Sequence, residues 1–92
     1  MEKKRLFDTC QICCESGQQA KLRYYCLKEV SGFPESYGVL IEMEGEGKWE
    51  SARAAHITTS FVRIGEILSL LSKNTVTPCT LHEVILDQIN NF

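Results

Sequence analysis

The chain has 92 residues, 43% of them apolar and 24% charged, with a formal net charge of −2. That is the length of one domain, spanning 1–92, with a modest core. The slight acidity argues against general nucleic-acid binding, which needs Lys and Arg to displace counterions from phosphates.

Residues 1–5 read as a loose tail or the fraying start of a strand, with a solvated Lys3-Lys4-Arg5 cluster. Arg5 to Cys14 mixes apolar and polar residues and reads as a strand, closed by a turn at Glu15-Ser16-Gly17. Ala20 to Val30 is the second strand, with Leu22, Tyr24 and Cys26 alternating against Arg23, Tyr25 and Leu27. Gly32 and Pro34 mark the loop from Ser31 to Ser36. Tyr37 to Glu44 is the clearest strand. Tyr37, Val39, Ile41 and Met43 share one face, while Gly38, Leu40, Glu42 and Glu44 share the other. Gly45-Glu46-Gly47 turns the chain, and Lys48 to Ile57 returns as a fourth strand. Ala52, Ala54 and Ala55 there favour helix.

The remainder reads as helix. Thr58-Thr59-Ser60 offers hydroxyls to the orphan N–H groups of a helix start. Phe61, Ile64, Leu68 and Leu71 then recur on one helical face, widened by Val62, Ile67 and Leu70. Lys73 suits the negative helix end, and Asn74 tolerates the left-handed conformation that closes it. Thr77-Pro78 supplies a cap and a first helical residue. Leu81, Val84, Ile85, Ile89 and Phe92 make a second apolar face. The expected fold is α+β: a four-stranded antiparallel meander sheet followed by two C-terminal helices packed on one face, in the order ββββαα.

No apolar run approaches the ~20 residues of a membrane span. Asp8, Thr9 and Gln11 interrupt the stretch after the basic cluster, so no signal peptide is read and the cytoplasm is the expected compartment. Five cysteines, an odd number, fit free thiols in a reducing compartment.

Leu22, Tyr24, Val39 and Ile41 are the core candidates under the helices. The opposite sheet face carries Arg23, Glu29, Glu42 and Glu44, but also Tyr25, Leu27 and Leu40. A partly apolar open face can be a contact surface, and Trp49 beside the hairpin is a further candidate anchor. Tyr25, Leu27, Leu40 and Trp49 are therefore the candidate partner-contact residues.

Tyr37-Gly38-Val39-Leu40-Ile41-Glu42, then Ala52, Ile57-Thr58-Thr59 and Val76-Thr77-Pro78 with Leu81 to Asp87, carry a pattern. Over about residues 37–89 the chain resembles a family of small bacterial proteins catalogued as a domain of unknown function, number 6514. Two positions depart from that pattern. His56 stands where the family has an acid, and Leu81-His82 inverts its His-Leu. The resemblance implies a fold and a bacterial cytosolic setting, and no reaction.

The sharpest chemical alternative is zinc, held by Cys79, His82 and other cysteines such as Cys10 and Cys13. Residues i and i+3 of a regular strand point to opposite faces, so Cys10 and Cys13 do not converge without a bulge. Cys79 at a helix start could be an activated thiol beside His82, but no oxyanion donor accompanies it. Glu83 and Asp87 read as the solvated side of the second helix, and His56 as a structural or exposed residue. Nucleic-acid binding through Arg23 and Tyr25 is opposed by Glu29, Glu42 and Glu44 on the same face. The reading is a non-enzymatic protein-interaction or regulatory domain without a cofactor. Its partner is another protein or a second copy, met through the open sheet face or edge.

Overall fold

A computed structural model describes residues 2–13, 17–30, 35–45 and 47–90, with backbone alone for 89 and 90. The turn expected at Glu15-Ser16, the loop from Ser31 to Pro34 and the position of Phe92 lie outside the described residues. Strands β1 (Glu2–Cys13), β2 (Gln19–Glu29), β3 (Ser36–Gly45) and β4 (Lys48–Thr58) precede helix α1 (Phe61–Lys73). A 3-10 turn (Pro78–Thr80) leads into helix α2 (Leu81–Asn90). The sheet order is β1-β2-β3-β4, antiparallel throughout. The ββββαα meander read from the sequence is the fold observed.

Alternation decides the core. Leu22, Tyr24, Val39 and Ile41 are fully buried from the sheet side, against Ile64, Leu68, Leu71 and Leu81 from the helix side. The Tyr24 hydroxyl donates to the Val76 carbonyl at 2.9 Å, joining β2 to the segment between the helices. Burial first, and the nearby Cys10 and Asp8 second, hold that phenol well above the ordinary tyrosine range. α1 begins as expected: the Ser60 hydroxyl accepts from the Arg63 N–H at 3.2 Å.

Several local readings are corrected. Residues 2–5 are no tail: Glu2 to Arg5 pair with Glu29 to Cys26, because the pairing register of β2 continues past the charge cluster. The fourth strand, by contrast, forms as read and despite its alanines, since ladder bonds to β3 and burial against the helices outweigh propensity. Asn74 stays right-handed at φ −96°, and Thr75, at φ 47°, takes the left-handed step instead. Thr77 is extended before Pro78, but its side chain makes no cap bond and the turn after it is 3-10.

Two irregularities shape the sheet. Phe7 is an extra residue in β1 between Leu6, opposite Tyr25, and Asp8, opposite Tyr24. Beyond Ala54, β4 carries extra residues before Thr58 rejoins Tyr37. His56 sits within that bulge at φ 56°. Gly38 lies opposite, where a Cβ would meet the Ala54 carbonyl oxygen at 2.4 Å, so only glycine lets the bulged strand come this close.

Candidate functional site

Register puts Tyr25 beside Leu40 and Leu27 beside Gly38, so these three residues do share the helix-free sheet face. They do not form an open apolar patch. Leu27 is only 3% exposed, and Tyr25 and Leu40 are half-buried. The covering is ionic. Lys4 lies 4.5 Å from the Tyr25 ring centre and 3.7 Å from the Glu42 carboxylate. Glu2 on one edge strand pairs with Arg53 on the other. Three strand spacings are ~14 Å in a flat sheet, so this pair spans the face. Between Glu2, opposite Glu29, and Arg53, opposite Leu40, it crosses at the level of Leu27 and Gly38. Burial, and then the hydrogen bond and charge of Glu42, raise the Tyr25 phenol above its ordinary value.

Trp49 is exposed at 56%, opposite Glu44 on the same face. Arg23 stands 5.9 Å from its ring and 3.1 Å from the Glu44 carboxylate. A shallow hollow of about 540 Å³ beside it is lined by Lys21, Glu44, Lys48 and Trp49. Charged side chains stand around the Trp49 ring there.

The reactive side chains are dispersed. Cys10 faces α1, its thiol 3.7 Å from the Ser72 carbonyl, whereas Cys13 is exposed. Cys79 is exposed 3.3 Å from the Thr77 hydroxyl. His82 is exposed, and His56 Nδ1 lies 2.7 Å from the Ser36 hydroxyl. Among the described residues no three His, Cys, Asp or Glu side chains gather to hold a metal ion. No helix among them is long and apolar enough to cross a membrane.

The open apolar surface lies on the other side of the sheet. α1 crosses that side obliquely. Its first residue, Phe61, meets the Tyr37 ring edge-on at 5.8 Å, while Ser72 near its end donates to Asp8 of β1. α2 packs against β4 on one flank of α1. Among the described residues nothing covers the other flank, which forms a groove in two lobes of about 300 Å³ each, sharing Arg5, Cys26 and Phe61. Leu6, Phe7, Ile64 and Leu68 line one lobe. Lys3, Lys4, Lys28 and Tyr37 line the other. Phe61, expected in the core stripe, is 68% exposed, and Val62 is 70% exposed. The helical period put Phe61 on the right side of α1, but no described residue fills the space in front of it. Cys26 on the groove floor has its thiol pushed up by burial, a drag only partly offset by Arg5 and Lys28. That thiol is therefore a small apolar wall atom and not an activated nucleophile.

Residues 3–91 match the model of a family of unknown function, DUF6514. The chain belongs to that family. No curated protein and no solved structure matches it. The family match extends the resemblance seen in residues 37–89 back through β1, and so takes in the groove's Lys3, Arg5 and Phe7.

Sequence reasoning missed this groove. The signals were present: Gly65 in the middle of an apolar helix, aromatic Phe61 next to Val62 at its start, and a basic cluster on β1.

Proposed function

We propose that this chain is a non-enzymatic protein-contact domain, and that its contact surface is the groove between β1 and α1. One observation carries this reading. Of the six large apolar side chains exposed among the described residues, three, Leu6, Phe7 and Phe61, line the groove. An exposed apolar cluster rimmed by charge is the mark of a surface made to be covered. The dispersal of thiols and imidazoles favours contact over catalysis. The helix-free face, already covered by its own ion pairs, is the poorer candidate. A cytoplasmic setting agrees with the cysteine content and with the free thiols of Cys10, Cys26 and Cys79.

The test is co-purification from cells carrying the chain with two separable tags. Phe61→Asp, on an exposed helix start, is expected to lose the proteins or copies that wild type retains. Ser51→Asp, on the ionic face, is expected to retain them. Equal recovery with both variants would remove the groove from the account.

A further inference from the structure

Strand pairing sorts the charges of this sheet by face. Glu2, Glu29, Glu42 and Glu44 lie on the ionic face, where Lys4 pairs with Glu42 and Arg53 with Glu2. Lys3 stands opposite Lys28 and Arg5 opposite Cys26, so all three cations take the face that carries α1. They line one lobe of the groove, and Arg5 also lines the other, beside Leu6, Phe7, Phe61, Ile64 and Leu68. Among the described residues no carboxylate lines either lobe. Asp8, the next acid along β1, already accepts from the Ser72 hydroxyl and the Thr9 N–H. In a chain with a net charge of −2, this groove is cationic at one end and apolar at the other.

The cations are unfavourably placed for the chain by itself. Like charges directly opposite each other on paired strands repel, and Lys3 faces Lys28 in that way. Glu35 relieves Lys28 at 3.1 Å, but no described carboxylate pairs with Lys3 or Arg5. Lysines on an edge strand also ward off other strands. That role needs no apolar recess beside them, and here the recess is continuous with the cations through Arg5, Cys26 and Phe61. Gly65 on the apolar wall adds an independent observation. A Cβ there would meet nothing within 4 Å, so no described contact requires glycine, which is a poorer helix residue than alanine. Its missing side chain keeps the recess wide.

We propose that the groove receives an acidic, apolar segment of another protein. The inference rests on the contact reading above and names the partner's chemistry. A bulky aliphatic or aromatic side chain of that segment enters the recess against Phe7, Phe61 and Leu68. Carboxylates beside it in the segment reach Lys3 and Arg5 and relieve the repulsion with Lys28. Attraction between opposite charges speeds the encounter and selects the partner, while burial of the apolar side chain holds it. Each half alone is a poor anchor. Exposed ion pairs are worth little, and a recess without charge would accept any apolar segment.

The probe is a library of random short peptides displayed on phage, selected on the wild-type chain after depletion on Phe61→Asp. Enriched peptides are expected to carry Asp or Glu beside a Leu, Ile, Phe or Trp. A synthetic copy of one, followed by fluorescence anisotropy, is expected to bind wild type and to weaken as salt rises from ~0.05 to ~0.5 M. Lys3→Glu with Arg5→Glu is expected to weaken it at least about tenfold, ~1.4 kcal/mol or more. Lys21→Glu with Lys48→Glu makes the same change in net charge beside Trp49, and is expected to leave binding nearly unchanged. Gly65→Gln guards against misfolding: a better helix former that fills the recess is expected to keep or raise the unfolding midpoint and yet lose the peptide. A selection that enriches nothing, or a peptide that binds both double variants alike, overturns the proposal. So does binding to phosphatidylglycerol vesicles in place of any peptide, which would make the occupant a lipid surface. Neutral or basic peptides that still need Phe61 overturn the acidic partner alone and leave the contact reading standing. That reading fails separately, if wild type and Phe61→Asp co-purify the same proteins.

Discussion

Removing one oxygen tests how the helix layer is attached to the sheet. The Tyr24 side chain is fully buried and its hydroxyl donates to the carbonyl of Val76, itself 8% exposed. The two residues are 52 positions apart, and the bond is the only polar link described between β2 and the turn that aims α2. Tyr24→Phe keeps the ring and its packing. It removes a hydrogen bond with a net value of ~1 kcal/mol and leaves a buried carbonyl without a partner, which costs ~1–2 kcal/mol more. The expected loss is about 2–3 kcal/mol, against a total of ~5–10 kcal/mol for a chain of this length. Urea unfolding followed by far-ultraviolet circular dichroism measures it, with the midpoint falling and the slope unchanged.

A pH arm sharpens the test. Burial raises the folded-state pKa of Tyr24 above its unfolded value. The folded protein therefore holds a proton that the unfolded chain releases. The stability this contributes is complete below pH ~10, the unfolded value, and falls above it by about 1.4 kcal/mol per pH unit. Other groups titrate in the same range, so the quantity to read is the difference between wild type and Tyr24→Phe, which should shrink as pH rises past ~10. A loss below ~0.5 kcal/mol at neutral pH, or a difference that does not change with pH, would refute the argument that this bond is buried and intact.

The remaining predictions also concern stability. Leu27→Ala should cost ~2–4 kcal/mol in urea unfolding, because the residue is buried beneath the Glu2–Arg53 pair; a cost under ~0.5 kcal/mol would mean the face is open after all. Gly38→Ala places a Cβ 2.4 Å from a backbone oxygen and should lower stability by ~2 kcal/mol or more, or abolish folding. Thr75→Gly releases a β-branched residue from φ 47° and should raise the thermal midpoint, by the equivalent of ~1 kcal/mol. Gly65→Ala, with open space around its new methyl, should also raise it, by ~0.5–1 kcal/mol; a lower midpoint in either case contradicts the local geometry described.

What was legible in the sequence follows from period and chemistry. Two-residue alternation in β2 and β3 named Leu22, Tyr24, Val39 and Ile41 as core, and all four are fully buried. Serine before an apolar 3.6-residue stripe placed the start of α1 at Phe61. Other features depend on relations that no local pattern carries. Lys3-Lys4-Arg5 is exposed as read, but looked like a loose tail because charge is visible and strand pairing is not. Leu27 looked exposed because its cover joins residues 51 positions apart. Phe61 looked buried because a helical stripe tells which way a side chain points and not how far its neighbours extend. The groove comes from the oblique line of α1 over the sheet, which only the assembled layers show.

The central claim is that this chain is met on the β1–α1 groove and not on the ionic face of its sheet. Site-specific photo-cross-linking in living cells tests it most directly, with the reactive group placed at position 61 in one strain and at position 40 in another. The account predicts a discrete protein adduct from position 61 and none from position 40. An adduct formed only from position 40 would contradict it.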